Sequence, residues 1–287
     1  MKNTLTSLLP LALLLAACAE TPAPSAPAAE STGSTSAPSA APVASAAPAA
    51  DPRPAAVAVP VPDAIRAIVE AKDRSDADRA LDGGRHPGEL LAFFGIAPGM
   101  KVAELGAGGG YTAELLARAV GPKGVVFGQN NKFIIDKYAS KPWSERLGKD
   151  VMKNVTRVDR EFDDPLPPEA HDLDAVFMVL FYHDTVWMGT DRPKMNAAIF
   201  KALKPGGVFA IIDHSGRAGT GETEVKTLHR IEEKAVREEV EKAGFKLVAE
   251  GSFLRNPADP RDWNDAPSAA AERRGTSDRF VLRFQKP

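Results

Sequence analysis

The chain has 287 residues, 36 Lys and Arg against 38 Asp and Glu, and a formal net charge of −2. That length holds one or two domains, and the balanced charge supplies no field that would draw the chain to nucleic acid. No charge block or nucleic-acid-reading motif stands out, so the expected partner is a small molecule.

The first residues, MKNTLTSLLPLALLLAACAE, combine a basic start, an apolar run from Leu5 to Ala17 and then small residues. Such a run is too short to span a bilayer, and Pro10 interrupts it. The stretch reads as a signal peptide. Its end, Leu15 to Cys18, resembles the bacterial lipobox, and Cys18 is the one cysteine of the chain. The resemblance implies that residues 1–18 are a signal, that Cys18 is lipidated, and that the protein is anchored on the periplasmic side of a bacterial membrane, the outer membrane. An ordinary signal cut after Ala19 is the plainer alternative. Residues 19–60 are almost all Ala, Pro, Ser and Thr. They cannot bury enough apolar surface to offset their ordering entropy, so they read as a disordered tether. Its reach is at most on the order of 130 Å, taking about 3.1 Å per residue.

From residue 61 to 287 the pattern alternates. PDAIRAIVEA, from Pro62, has Ile65, Ile68 and Val69 at helical spacing. HPGELLAFF puts Pro87 at a first helical position and Gly95 just past the end. KVAEL (101–105) is a short apolar strand, followed by a glycine turn and the helical YTAELLARAV, closed by Gly121 and Pro122. GVVFG and VTRVD are the next strands, the second a weak one. LDAVFMVLFY (173–182) is a continuous apolar run, as expected of a strand covered on both faces. NAAIFKAL is helical and ends at KPGG, and VFAIID (208–213) is a strand. EEKAVREEVEKAG is a helix with Ala235, Val236 and Val240 inward, and FKLVAEGSFL and RFVLRF close the chain as strands. Strands alternating with helices imply an α/β fold with a largely parallel, doubly wound sheet, whose ligands sit at the carboxyl ends of the strands.

The turn after the first strand is VAELGAGGGY, residues 102–111. The dinucleotide fingerprint G-x-G-x-x-G fails there, because Tyr111 stands where the third glycine belongs. The pattern that fits is a strand followed by Glu104, Gly106, Gly108 and Gly110 at alternate positions. This resembles motif I of the class I S-adenosylmethionine-dependent methyltransferases. LKPGGVFAIID (203–213) and EKAGFKLV (241–248) resemble later motifs of the same superfamily, in the same order. GQNN, FYHD, LHRI, FLRNPADPRD and DRFVLRFQKP resemble a bacterial family of predicted methyltransferases that often carry signal peptides. The resemblance implies one domain with a Rossmann-like, mostly parallel, seven-stranded sheet, and S-adenosylmethionine as cofactor. Gly106 and Gly108 would admit the amino-acid end of the cofactor to the backbone, and Glu104 would face its ammonium. Tyr111 beside the turn and Tyr182 at the end of strand four would belong to the same cofactor site.

One position departs from the superfamily. The second strand normally ends in Asp or Glu, which accepts from both ribose hydroxyls; here Gln129, Asn130 and Asn131 follow, with Asn130 nearest the acidic position. An amide has one acceptor and one donor group, so it would grip a diol without charge-assisted bonds, or else it caps the next turn. After strand three, Phe162 would stack on adenine, with Glu161 or Asp163 accepting from its amino group.

Strand four ends in Tyr182, His183 and Asp184, and strand five in Asp213, His214 and Ser215. Neighbouring strand ends would bring His183 and His214 to one mouth, where a neutral imidazole takes the acceptor's proton as the methyl arrives. GRAGTGETEVKTLHRI (216–231) would form a lid with His229 and Arg230 at its far end, Arg230 gripping an anionic substrate group or a carboxylate of the sheet. No recognised ligand spacing is present, so no metal is expected. The expected function is methyl transfer to a small molecule. The rival is a non-catalytic binding protein of the same fold, and a dinucleotide oxidoreductase is the weaker third reading.

Overall fold

The computed structural model describes residues 58–287, so the signal, Cys18 and nearly all of the tether lie outside the described residues. Seven strands form one sheet: β1 (Lys101–Leu105), β2 (Val125–Asn130), β3 (Val155–Asp159), β4 (Leu173–Val179), β5 (Leu203–His214), β6 (Lys246–Gly251) and β7 (Arg279–Gln285). Their order is β3-β2-β1-β4-β5-β7-β6, parallel except for β7, which runs antiparallel to both β5 and β6. The strand order reverses between β1 and β4. The carboxyl ends of those two strands therefore diverge into a crevice, the usual ligand position in such sheets.

β4 is almost wholly buried, and Ala175, Val176, Phe177 and Met178 sit in the core. Helices cover both its faces, which is why its sequence does not alternate. The helix Tyr111–Val120 follows the glycine turn and stops at Gly121, whose φ of 64° few other residues adopt. The helix Glu233–Lys242 buries Val236 and Val240, while Ala235 is only half-buried. The expected KPGG turn lies inside β5. Pairing jumps from Leu173↔Leu203 to Ala175↔Val208, so Lys204–Gly207 bulge out of the ladder.

Two helices have no clear apolar stripe in the sequence. Asp76–Arg85 reads DADRALDGGR, and Ser140–Leu147 reads SKPWSERL. The second carries Trp143, fully buried beneath the glycine turn, and Arg146. Arg146 donates two hydrogen bonds of 2.8 Å to the Asp78 carboxylate, one of 2.6 Å to the Gly109 carbonyl, and one to Glu114. The Tyr111 hydroxyl donates to Asp82 at 2.6 Å, and Arg279 donates to the Gly84 carbonyl. Ion pairs and hydrogen bonds thus pin the helix Asp76–Arg85 over the carboxyl end of β1, where its own apolar content could not.

Candidate functional site

A cleft of about 830 Å³ opens at the crevice between β1 and β4. Its floor is Glu104 and the glycine turn, one wall is the helix Asp76–Arg85, and the far end holds Asp184, Trp187, His214 and His229.

Glu104 closes β1 and is 3% exposed. Burial raises its carboxyl to about 8, against the pull of the Thr112 hydroxyl, the Arg85 charge and the Ala113 N–H. Its Oε2 has no hydrogen-bond partner among the described residues. Arg85 lies in the same cleft, 4.6 Å above the Tyr111 ring, and no carboxylate among the described residues pairs with it. Burial pulls its guanidinium below the ordinary value. A lone carboxylate oxygen and an unpaired cation in one cleft are complementary to a zwitterion. Arg85 lies outside the expected site residues, because the helix that carries it has no apolar period to read.

Gly106, Gly108 and Gly110 all have positive φ, at 71°, 55° and 83°. A Cβ on Gly108 would meet nothing within 4 Å, so that position faces open cleft. The other two are closed from behind: a Cβ on Gly106 would lie 2.5 Å from the Phe181 ring, and one on Gly110 would strike Trp143.

The amides at the end of β2 hold this turn. Gly106 N–H donates to Gln129 Oε1 at 3.1 Å, Ala107 N–H to the Gln129 carbonyl at 2.9 Å, and Gly108 N–H to Asn130 Oδ1 at 2.7 Å. Asn130 Nδ2 donates back to the Gly108 carbonyl at 3.1 Å. Asn130 is fully buried, and both ends of its amide serve the turn, so it is not placed to receive ribose hydroxyls as expected. Asn131 accepts from Ile134 N–H at 3.0 Å and so caps the next turn. Asn130→Asp is therefore expected to destabilise the fold. The anion cannot donate to the Gly108 carbonyl and would face it, at a cost of about 2 kcal/mol or more. Urea unfolding reads this; unchanged stability with tighter S-adenosylmethionine binding would return position 130 to the ribose.

Three other expected residues lie away from the cleft. Phe162 is buried and stacks on Phe181, ring centroids 4.9 Å apart; Phe181 is the ring that reaches the cleft. The buried Tyr182 hydroxyl donates to Glu239 at 2.9 Å and accepts from Asn196 at 2.9 Å, which directs it to the helices beyond the sheet. Arg230 is fully buried. It donates to Asp259 at 2.8 Å and to the Ser215 carbonyl at 3.2 Å, and its guanidinium stacks on Trp263 at 4.6 Å. It clamps the loop that carries Asp259 rather than gripping a ligand. The sequence could not show this, since Asp259 stands 29 residues away.

The histidines do converge. His183 and His229 rings are 4.1 Å apart and His183 and His214 rings 5.4 Å. His183 is fully buried, does not line the cleft, and holds Asp213 Oδ1 with its Nδ1 at 2.6 Å. Burial works against a charged ring there, but the Asp213 and Asp184 carboxylates outweigh it and raise His183 to about 10. His229 lies on the cleft, and burial together with the His183 charge lowers it to about 4. His214 also lines the cleft; burial keeps it below its ordinary value, and Asp265 and Ser277 hold its Nδ1. That arrangement leaves Nε2 of a neutral ring to accept a proton.

The strand order with its antiparallel β7, and an acidic residue and glycine turn after β1, define the Rossmann-like fold of the class I methyltransferases, in a single domain. Residues 86–161 match the family model of protein-L-isoaspartate(D-aspartate) O-methyltransferase. A sterol 24-C-methyltransferase from Yarrowia lipolytica is 33% identical over 130 residues, 45% of this chain and 31% of that protein, so the chain spans about a third of this curated relative's length. The crystal structure of an S-adenosylmethionine-dependent methyltransferase from Aquifex aeolicus superposes with a TM-score of 0.51 at 20% identity, covering 75% of this chain and all of that one. The crystallised cyclase SpnF superposes at 0.50 with 17% identity, covering 76% and 85% of the two chains.

Proposed function

We propose that the protein is an S-adenosylmethionine-dependent methyltransferase acting on a small molecule. The observation that carries this reading is Glu104, buried at the end of β1 with one carboxylate oxygen unpartnered beside the glycine turn. The cofactor's methionine end is a zwitterion: Glu104 would take its ammonium and Arg85 its carboxylate. The stretch matched by the methyltransferase family model, 86–161, contains β1 and the glycine turn that line this end of the cleft, and also β2 and β3. Gly108, the glycine open to the cleft, would leave room for the adenosine, and His214, at the far end, would stand toward the acceptor.

Methyl transfer needs in-line positioning above all. Bound there, the cofactor would supply the methyl to the acceptor's lone pair and leave as a neutral thioether, and His214 Nε2 would take the acceptor's proton. Titration calorimetry of the whole chain with S-adenosylmethionine and S-adenosylhomocysteine is expected to show one site for each. Absence of heat with both would sink the reading.

A second reading is a binding protein of the same fold, and one observation favours it. Gln129 and Asn130 hold the turn's backbone where the superfamily places a ribose-binding carboxylate. SpnF, described as a cyclase, illustrates that this fold does not dictate methyl transfer. Tight S-adenosylhomocysteine binding together with hydrolytically and chemically inert S-adenosylmethionine, in the presence of a broad acceptor panel, would favour this second reading.

The proposed setting is extracytoplasmic, with Cys18 carrying the lipid. Lipid chains each contribute about 0.8 kcal/mol per buried CH₂, so several chains on one Cys hold firmly. Cys18→Ser is expected to abolish incorporation of labelled palmitate in bacterial cells; label equal to wild type would rule out the lipobox. No helix among the described residues is long and apolar enough to cross a membrane.

A further inference from the structure

We infer that His183, Asp184 and His229 form a binding site for one divalent transition-metal ion at the far end of the cleft. Each residue offers one ligand atom, and these atoms lie within 4.8 Å of one another. His183 Nε2 is 3.2 Å and His229 Nδ1 3.7 Å from Asp184 Oδ1. Ligands about 2.1 Å from a tetrahedral ion are spaced about 3.4 Å apart, so both separations fit a common centre.

The surroundings are those of a prepared site. His183 is fully buried, and its Nε2 has no aligned hydrogen-bond partner among the described residues although it points at the other two groups. Its Nδ1 is held by Asp213, which also accepts from the His183 and His214 N–H groups, each at 2.8 Å. Asp213 is thereby fixed as an anion, accepts from the Nδ1–H and turns Nε2 toward Asp184, where a metal ion would displace the proton that Nε2 carries without it. Metal-bound histidines are oriented by this kind of carboxylate partner. Trp187 Nε1 donates to Asp184 Oδ1 at 2.6 Å and fixes the carboxylate in turn. His229 sits at φ 57°, a conformation costly to a residue with a Cβ, just after the short helix Val225–Leu228. That conformation aims its ring back at His183.

Two imidazoles and one carboxylate suit zinc, iron(II), cobalt(II) or manganese(II); calcium and magnesium prefer all-oxygen sets. Three protein ligands leave coordination positions vacant, and Asp184 and His229 line the cleft, so those positions face its contents. Separation in sequence hides the set: His229 stands beyond the whole of β5, so no short ligand spacing exists to find.

The test is a cobalt(II) titration of the whole chain after chelator treatment and dialysis, followed by visible absorption and equilibrium dialysis. It uses no S-adenosylmethionine, so its result is independent of the function proposed above. Wild type is expected to take up one cobalt per chain. His229→Gly, which relieves the positive φ rather than straining it, and Asp184→Asn are expected to weaken uptake at least tenfold. His171→Ala, at a side chain 67% exposed, is expected to leave uptake unchanged. Near-UV circular dichroism confirms the fold of each variant. No saturable uptake by wild type, equal uptake by folded His229→Gly, or equal loss in His171→Ala would each overturn the site.

Discussion

Replacing Glu104 with Gln is expected to stabilise the ligand-free protein at pH 8 and to weaken S-adenosylmethionine binding at the same pH. Burial raises the Glu104 carboxyl from 4.5 to about 8. Between those values the unfolded chain carries the ionised group and the folded chain keeps the proton. The folded state then binds more protons, so stability falls as pH rises through the window. Below pH 4.5 both states are protonated and the contribution vanishes. Each pH unit is worth about 1.4 kcal/mol at most, and water in the cleft reduces it, so the whole effect is on the order of 3 kcal/mol. Gln has no proton to lose. The variant's advantage in urea unfolding should therefore be small at pH 5 and grow toward pH 8; an equal difference at both would show that Glu104 is not held protonated. Binding runs the other way. An ammonium beside the ionised carboxylate makes a charge-assisted bond, worth about 1.5–3 kcal/mol, which Gln replaces with a weaker neutral one. We expect affinity to fall about tenfold, and wild-type affinity, unlike that of the variant, to rise with pH up to about 8. Equal affinities would remove the ammonium from this position.

Gly110→Ala is expected to damage the glycine turn far more than the same change at Gly108. Gly110 has φ 83°, and the added Cβ would lie 2.6 Å from Trp143 Cε3 and 2.8 Å from Arg146 Cδ. Neither neighbour can give way. Trp143 is fully buried, and Arg146 is bonded to Asp78, Glu114 and the Gly109 carbonyl. The left-handed backbone costs about 1–2 kcal/mol and the overpacking about 1–3 more. A loss of about 3 kcal/mol or more is expected from the urea midpoint. Gly108→Ala is the comparison: its Cβ meets nothing within 4 Å, so it should lose only the backbone part, near 1 kcal/mol, and fill cleft space instead. If Gly110→Ala proves no less stable than Gly108→Ala, Trp143 does not underlie the turn as described.

The order of strands and helices was legible because periodicity is local. KVAEL and VFAIID fall in strands, LDAVFMVLFY does so as far as Val179, after which Leu180 turns the chain at φ 56°, and the glycines with Glu104 place the ligand crevice at β1. Positive φ at Gly106, Gly108 and Gly110 is likewise a demand of a single turn, which neighbouring residues alone reveal. The convergence of the strand-four and strand-five histidines could be read too, since a parallel sheet puts its carboxyl ends together.

Side-chain partners were decided by the tertiary structure. Asn130 and Gln129 stand at the position of a ribose-binding acid, but a buried amide goes to whichever backbone group it can satisfy, and the turn 22 or 23 residues earlier offered N–H groups. Arg230 and Tyr182 found Asp259 and Glu239 for the same reason. The helix Asp76–Arg85 has almost no apolar face, and its one local signal is the Ser75 cap with acidic residues in the first turn; Arg146, Tyr111 and Arg279, all distant in sequence, hold it above the cleft and bring Arg85 with it. A pattern of residue types along the chain determines which backbone forms. Which buried polar atom meets which partner depends on distances that exist only once the sheet has closed.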